Sequence, residues 1–250
     1  MTASSVIAAL CLPADARVDQ RVPKKLLVEN GAPTAADKRQ INDGIEELHW
    51  LAALKPTTIG VPIFRDDNRE YLEIAVLALT LRAGAKAPRL TALIHRAIPY
   101  PVFLIQSQPG GLALSLAHLR WSQGQSGQTV LDGPLSTATV DADTPATNDF
   151  LASLNVTAQP RQHLHALYQG WMERFEAHAA ARLTGSFTPA PDAAAAERRR
   201  SALAEHERLT REMTSLRARA GKETQLNRRV ELNLQLKKLE SRLAEAATHF

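Results

Sequence analysis

The sequence predicts an α/β (α+β) protein: a small mixed-sheet domain with flanking helices, followed by a C-terminal antiparallel helical hairpin of coiled-coil type. Three observations predict it. Between Thr57 and Trp121 apolar and β-branched runs alternate with a helical pattern in the order strand, strand, helix, strand, strand. From Ala193 onward, apolar residues recur at three- and four-residue steps. The net charge of +4 is unevenly placed: Ala193–Phe250 holds 13 Lys/Arg against 8 Asp/Glu, and the rest holds 17 against 18.

The chain of 250 residues, 44% hydrophobic and 22% charged, is long enough for a core with an attached element. A single cysteine, Cys11, excludes an intrachain disulfide framework and fits a reducing compartment. Val6–Leu12 has the length of a strand or buried helix. No Lys or Arg precedes it, which argues against a signal peptide and for the cytoplasm. No apolar run approaches the roughly 20 residues that span a bilayer.

In "RVPKKLLVENG" (Arg21–Gly31), Pro23 holds Val22 extended, so the stretch reads as an extended approach and a short apolar turn of chain. "TAADKRQINDGIEELHWLAALKP" reads as one helix. Thr34 caps it, Asp37 suits its first turn, Ile41, Ile45, Leu48, Trp50, Leu51 and Leu54 give a broad apolar face, and Pro56 stops it. "TTIGVPIF" reads as a strand and "RDDNRE" as a turn. "YLEIAVLALTLR" reads as a longer strand buried on both faces. "PRLTALIHRAI" is a helix with Pro88 in its first turn. "PYPVFLIQSQ" and "LALSLAHLRW" are further strands around a turn at Pro109–Gly111. "GQSGQ" is a turn, "TVLDGPLSTATV" an edge strand, and Asp141–Asn148 a polar loop.

A helix carrying Leu164, Leu167, Tyr168, Trp171, Phe175 and Leu183 ends at Gly185. Ser186–Asp192 is a stiff linker whose Asp192 caps the next helix. The expected domains are therefore an α/β domain (1–145), a helical continuation (146–185), a linker (186–192) and the hairpin (193–250). In the hairpin, Ala202, His206, Leu209, Met213, Leu216 and Ala220 form one seam. Leu232, Leu236, Leu239 and Leu243 form a second, out of phase with the first. A turn near Gly221–Glu223 accounts for the break, and a continuous helix pairing between chains is the alternative.

Catalytic signatures fail one by one. Gly124–Thr129 has neither the spacing nor the lysine of a phosphate loop, and no GxSxG or HExxH occurs. His163 and His165 are two apart and do not share a helix face, while His49, His95 and His118 are scattered, so no metal site is expected. A metal-dependent nuclease needs a carboxylate followed by D/E-x-K. Asp66 or Asp67 with Glu73 supplies half of this, but Ala75 stands where the lysine belongs. No catalytic residue, cofactor or metal is assigned. Lys24 and Lys25, after Pro23, are candidates for phosphate or partner contact.

"RVPKKLLVENG", "IEELHWLAALKPTTIGV", "AIPYPVFLI" and "KETQLNRRVELNLQLKKLE" occur here in one order. In this the chain resembles a bacterial family, DUF4391, from about Leu12 to Leu243. The matching positions are Pro23, Lys24, Lys25, Trp50, Pro56, Thr57, Ile98, Pro99, Asn227, Arg228, Arg229 and Asn233. The resemblance implies a context beside DNA methyltransferases and helicases of restriction-like, anti-phage loci. The expectation is a non-catalytic component docking a partner protein such as a helicase or methyltransferase, with nucleic acid as a further partner. The alternatives are a divergent metal-dependent nuclease or a DNA/RNA-binding module using Lys24, Lys25, Arg228 and Arg229. Within "GKETQLNRRVELN", Asn227 and Asn233 are read as a structural latch and Arg228 and Arg229 as partner contacts. Homo-oligomerisation through the C-terminal helices is left open.

Overall fold

A computed structural model describes residues 1–124, 127–140, 143–248 and 250. In chain order the elements are α1 (Ala3–Ala9), β1 (Arg17–Arg21), α2 (Lys24–Gly31), α3 (Ala35–Gly44), β2 (Ile45–Leu54), α4 (Pro56–Ile59), β3 (Phe64–Arg65), β4 (Glu70–Tyr71) and β5 (Ile74–Leu81). After these come α5 (Ala87–Ala97), β6 (Val102–Gln108), β7 (Gly111–Leu116), β8 (Leu119–Trp121), β9 (Thr129–Leu131), β10 (Ser136–Val140), α6 (Pro145–Ala152), α7 (Leu164–Thr184), α8 (Ala193–Lys222) and α9 (Leu226–Ala247). The chain divides into two compact units, Met1–Phe175 and Glu176–Phe250, so the division falls within α7.

The first unit is built on a six-stranded mixed sheet of order β1-β2-β5-β6-β7-β10. Only β5 and β6 run parallel, and α5 makes the crossover between them. Both faces of β5 are covered, which is why its sequence is almost continuously apolar. Ala75, Leu77, Leu79 and Leu81 join Leu27, Ile41, Leu90, Leu93 and Ile94 beneath α2, α3 and α5. On the opposite face Phe103 of β6 meets Trp171 edge-on at 4.9 Å between ring centres. Two-stranded hairpins β3–β4 and β8–β9 stand apart from the main sheet.

Several expectations are corrected. "IEELHWLAAL" is not the second half of a helix. It is β2, paired with β1 on one side and β5 on the other. Tertiary pairing overrides the helix propensity of its Glu, Leu and Ala residues. The helix stop is "NDG" at Asn42–Gly44, where Gly44 approaches α5: a Cβ there would lie 2.8 Å from Leu90 Cδ1. "TTIGVPIF" is not a strand. Pro56 opens the one-turn helix α4, and Gly60, at φ 64°, closes it in the left-handed region. The stretch after Pro23 is the helix α2 rather than a short turn, and "LALSLAHLRW" breaks into β7 and β8. "TVLDGPLSTATV" divides into β9 and β10, which belong to different sheets, and the expected loop at Asp141–Asn148 already enters α6 at Pro145. Parts of that loop and of the expected turn at Gly124–Gln128 lie outside the described residues.

The second unit contains the helical hairpin. Asp192 Oδ1 accepts the Ala195 N–H at 2.7 Å and caps α8. The two seams meet: Leu209, Met213, Leu216 and Ala220 pack with Leu232 and Leu239, flanked by Leu236 and Leu243. Pairs across the helices confirm the antiparallel sense, Arg217 with Glu240 at 3.1 Å and Arg242 with Glu205 at 2.7 Å. The Glu223 carboxylate accepts the Gln225 N–H at 2.8 Å, which organises the turn.

Candidate functional site

The tip of the hairpin carries the least expected surface. Leu226, Val230 and Leu234 are 64%, 50% and 57% exposed, where large apolar side chains are ordinarily covered. Their four-residue spacing places them in one stripe on α9. By the 100° step of a helix, the stripe lies about 150° round from the seam of Leu232, Leu236, Leu239 and Leu243. The same geometry puts Asn227 on one flank of the stripe and Arg229 and Asn233 on the other. Arg228 continues the seam row toward the tip.

All four of these residues are exposed. Between Arg217 and Leu234 there are five Lys/Arg against two Asp/Glu, so the tip is basic as well as apolar. Neither Asn227 nor Asn233 bonds to another described side chain.

Lys24 and Lys25 open α2, and their side chains have different neighbours. Lys24 Nζ donates to Asn42 O at 2.9 Å, and burial, then Arg82 and Arg21 nearby, lower its pKa. Lys25 is exposed and 3.7 Å from Glu29.

The lysine that the nuclease pattern lacks at Ala75 arrives from the neighbouring strand. Lys55, at the end of β2, places Nζ 2.9 Å from Glu73 Oε2. Glu73 is only 6% exposed, so the ammonium sits where a cation would otherwise have to neutralise that carboxylate. Hydrogen bonding to Glu73 raises the Lys55 pKa, and Tyr100 adds to it electrostatically. Among the described residues no three His, Cys, Asp or Glu side chains gather as a metal-holding group.

Replacing Lys55 with methionine leaves the buried carboxylate uncompensated. Because Lys55 is itself 46% exposed, the cost is expected to be about 1–3 kcal/mol rather than that of a fully buried pair. Urea unfolding measures it, and Lys55→Met/Glu73→Leu is expected to regain most of the loss.

Two adjoining cavities of about 580 and 510 Å³ form a groove on the first unit. They share Glu29, Asn30, Arg96, Gln128 and Thr129 as walls, and Tyr100 and Trp121 stand at one end. The elements "VENG" and "IPYP" thus reach one groove from distant parts of the sequence.

Elsewhere in the first unit histidines gather in a way that sequence spacing did not indicate. His163 precedes α7, so the helix-face argument does not apply to it. His165 stacks between Phe64, at 4.8 Å between ring centres, and His118, at 5.0 Å. Tyr71 OH bonds His118 Nδ1, and His118 Nε2 bonds Gln169 Oε1 at 3.0 Å. Burial, aided by His118 and Arg69, pushes the His165 pKa down to about 4. The ring is neutral near pH 7, and the cluster ties β4 and β8 to α7.

A family model described as Domain of unknown function (DUF4391) matches residues 10–243. The chain belongs to this family. No curated protein and no solved structure matches it. The DUF4391 match includes both the groove and the exposed stripe of α9. No helix among the described residues is long and apolar enough to cross a membrane. Sequence reasoning singled out the polar residues of "LNRRVELNL" but passed over its apolar ones. The signal was present: Leu226, Val230 and Leu234 recur every four residues outside the seam register.

Proposed function

We propose that this DUF4391 protein is a non-catalytic interaction component of a bacterial restriction-like, anti-phage system. In this reading its hairpin tip docks an acidic, apolar-faced surface of a partner protein, a helicase or methyltransferase being the first candidates. One observation carries it: the stripe Leu226–Val230–Leu234, exposed on a helix whose opposite face already packs, within a basic tip. A nucleic acid backbone would use Arg228 and Arg229 but has no use for three aliphatic side chains. Coiled-coil pairing with a second copy would use the stripe but would bring like charges together.

The test is co-expression with the proteins encoded beside it. Val230→Glu/Leu234→Glu changes only exposed positions, so the melting temperature is expected to stay within experimental error while the partner no longer copurifies. Retained copurification, or a dimer by sedimentation equilibrium that the double variant dissociates, would contradict the reading. Magnesium-dependent DNA cleavage that disappears in Glu73→Ala would replace it with the nuclease alternative.

A further inference from the structure

The ladder between β8 and β9 leaves one edge unfilled. Ser122 N–H donates to Gln128 O, and Asp132 N–H donates to His118 O. With the register Arg120↔Val130, the hydrogen-bonded pairs are therefore 122:128, 120:130 and 118:132. The intervening pairs, Trp121↔Thr129 and Leu119↔Leu131, turn their N–H and C=O groups away from each other.

On the β8 side the edge is already engaged: Trp121 N–H donates to Asn68 O at 2.7 Å, in the turn before β4. On the β9 side, Thr129 and Leu131 find no backbone or side-chain partner among the described residues. Both are only half-exposed, and both line the groove. A partly buried strand edge with open donors and acceptors is a template for another strand.

We propose that the groove takes an extended peptide of a partner protein as a third strand on β9, carrying an acidic residue for Arg96 and a large apolar residue for the Tyr100–Trp121 end. Charge decides the acidic residue. Glu29 is engaged by Lys25 at 3.7 Å and Glu70 by Arg65 at 3.0 Å. Arg96 is exposed and makes no ion pair among the described residues, so it is the charge of the groove left to be answered. The main-chain bonds of Thr129 and Leu131 give affinity, and side chains two apart on the peptide reach the groove together. The proposal stands independently of the hairpin.

The experiment uses the full chain, labelled with nitrogen-15, and the probe Ac-Val-Trp-Val-Glu-Val-NH2, whose Trp and Glu share one face. Binding is expected to shift the Thr129 and Leu131 amide signals and slow their hydrogen exchange. An added strand uses the N–H groups of alternate residues. N-methylation of one alternate set of the probe is therefore expected to weaken binding about tenfold or more, and methylation of the other set to be tolerated. Arg96→Glu is expected to weaken it comparably while leaving the melting temperature unchanged. Failure of the probe to bind, unchanged Thr129 and Leu131 amides, or equal binding of both methylated probes would overturn the proposal.

Discussion

Replacing Tyr168 with phenylalanine is expected to lower the unfolding free energy by about 2–4 kcal/mol, although it deletes one oxygen atom. Tyr168 is fully buried, and its hydroxyl joins three parts of the first unit. It donates to Val102 O at 2.7 Å, where β6 begins, and accepts the Ala117 N–H at 2.8 Å, where β7 has just ended. Ala117 O stands 3.1 Å away as a second acceptor. Burial raises the phenol pKa well above its usual value, so the group stays protonated and keeps its donor. Phenylalanine fits the same space but leaves a buried N–H and a buried C=O unanswered, and unmade bonds cost more than made ones contribute. Urea unfolding at pH 7 measures the difference. A loss below about 0.5 kcal/mol, the scale of ordinary surface substitutions, would show that the Tyr168 hydroxyl does not help to hold α7.

The second large effect is acid lability above the range of ordinary carboxylates. His95 lies on the buried face of α5 with Nε2 2.9 Å from Ser115 Oγ, and burial pushes its pKa down to about 3. His165 is pushed down to about 4. Both folded values lie below the unfolded value near 6.5, so below that pH the unfolded chain binds more protons than the native one. Stability is therefore fully present above about pH 6.5 and is lost as pH falls toward the folded values.

Each histidine contributes a slope of about 1.4 kcal/mol per pH unit. With His165 discounted for its partial exposure, a fall of about 2 kcal/mol per unit is expected between pH 6 and pH 4.5. Asp37, held down to about 2 first by hydrogen bonding to Arg89 and then to Thr34, titrates below this window. Urea midpoints across the window measure the slope. His95→Met is expected to flatten it by about one proton per molecule, and an unchanged slope would remove the assignment.

Local signals made much of this fold legible. The β5 run announced burial on both faces, Pro88 opened α5, and the phase break between Leu216 and Leu232 placed a turn beside Gly221. What failed did so for non-local reasons. Glu46–Leu54 has helix-forming side chains but lies between two strands, and no periodicity within it reports those neighbours. Pro56 and Gly60 do mark a helical turn, yet two threonines and an isoleucine outweighed them on β propensity.

The candidate sites divide in the same way. The α9 stripe was readable from spacing once the seam was subtracted. The Lys55–Glu73 pair, the His118–His165 stack and the open edge of β9 depend on chain segments brought together from a distance, which spacing within any one segment cannot encode.

The central claim, that the hairpin tip is a docking surface, is tested most directly by amide hydrogen exchange across Leu226–Leu234 with and without the copurified partner. A covered stripe predicts slowed exchange through this first part of α9 on binding, and no slowing in Val230→Glu/Leu234→Glu. Exchange that is unchanged at Leu226–Leu234 while the partner is bound would contradict the account and place the interface elsewhere on the chain.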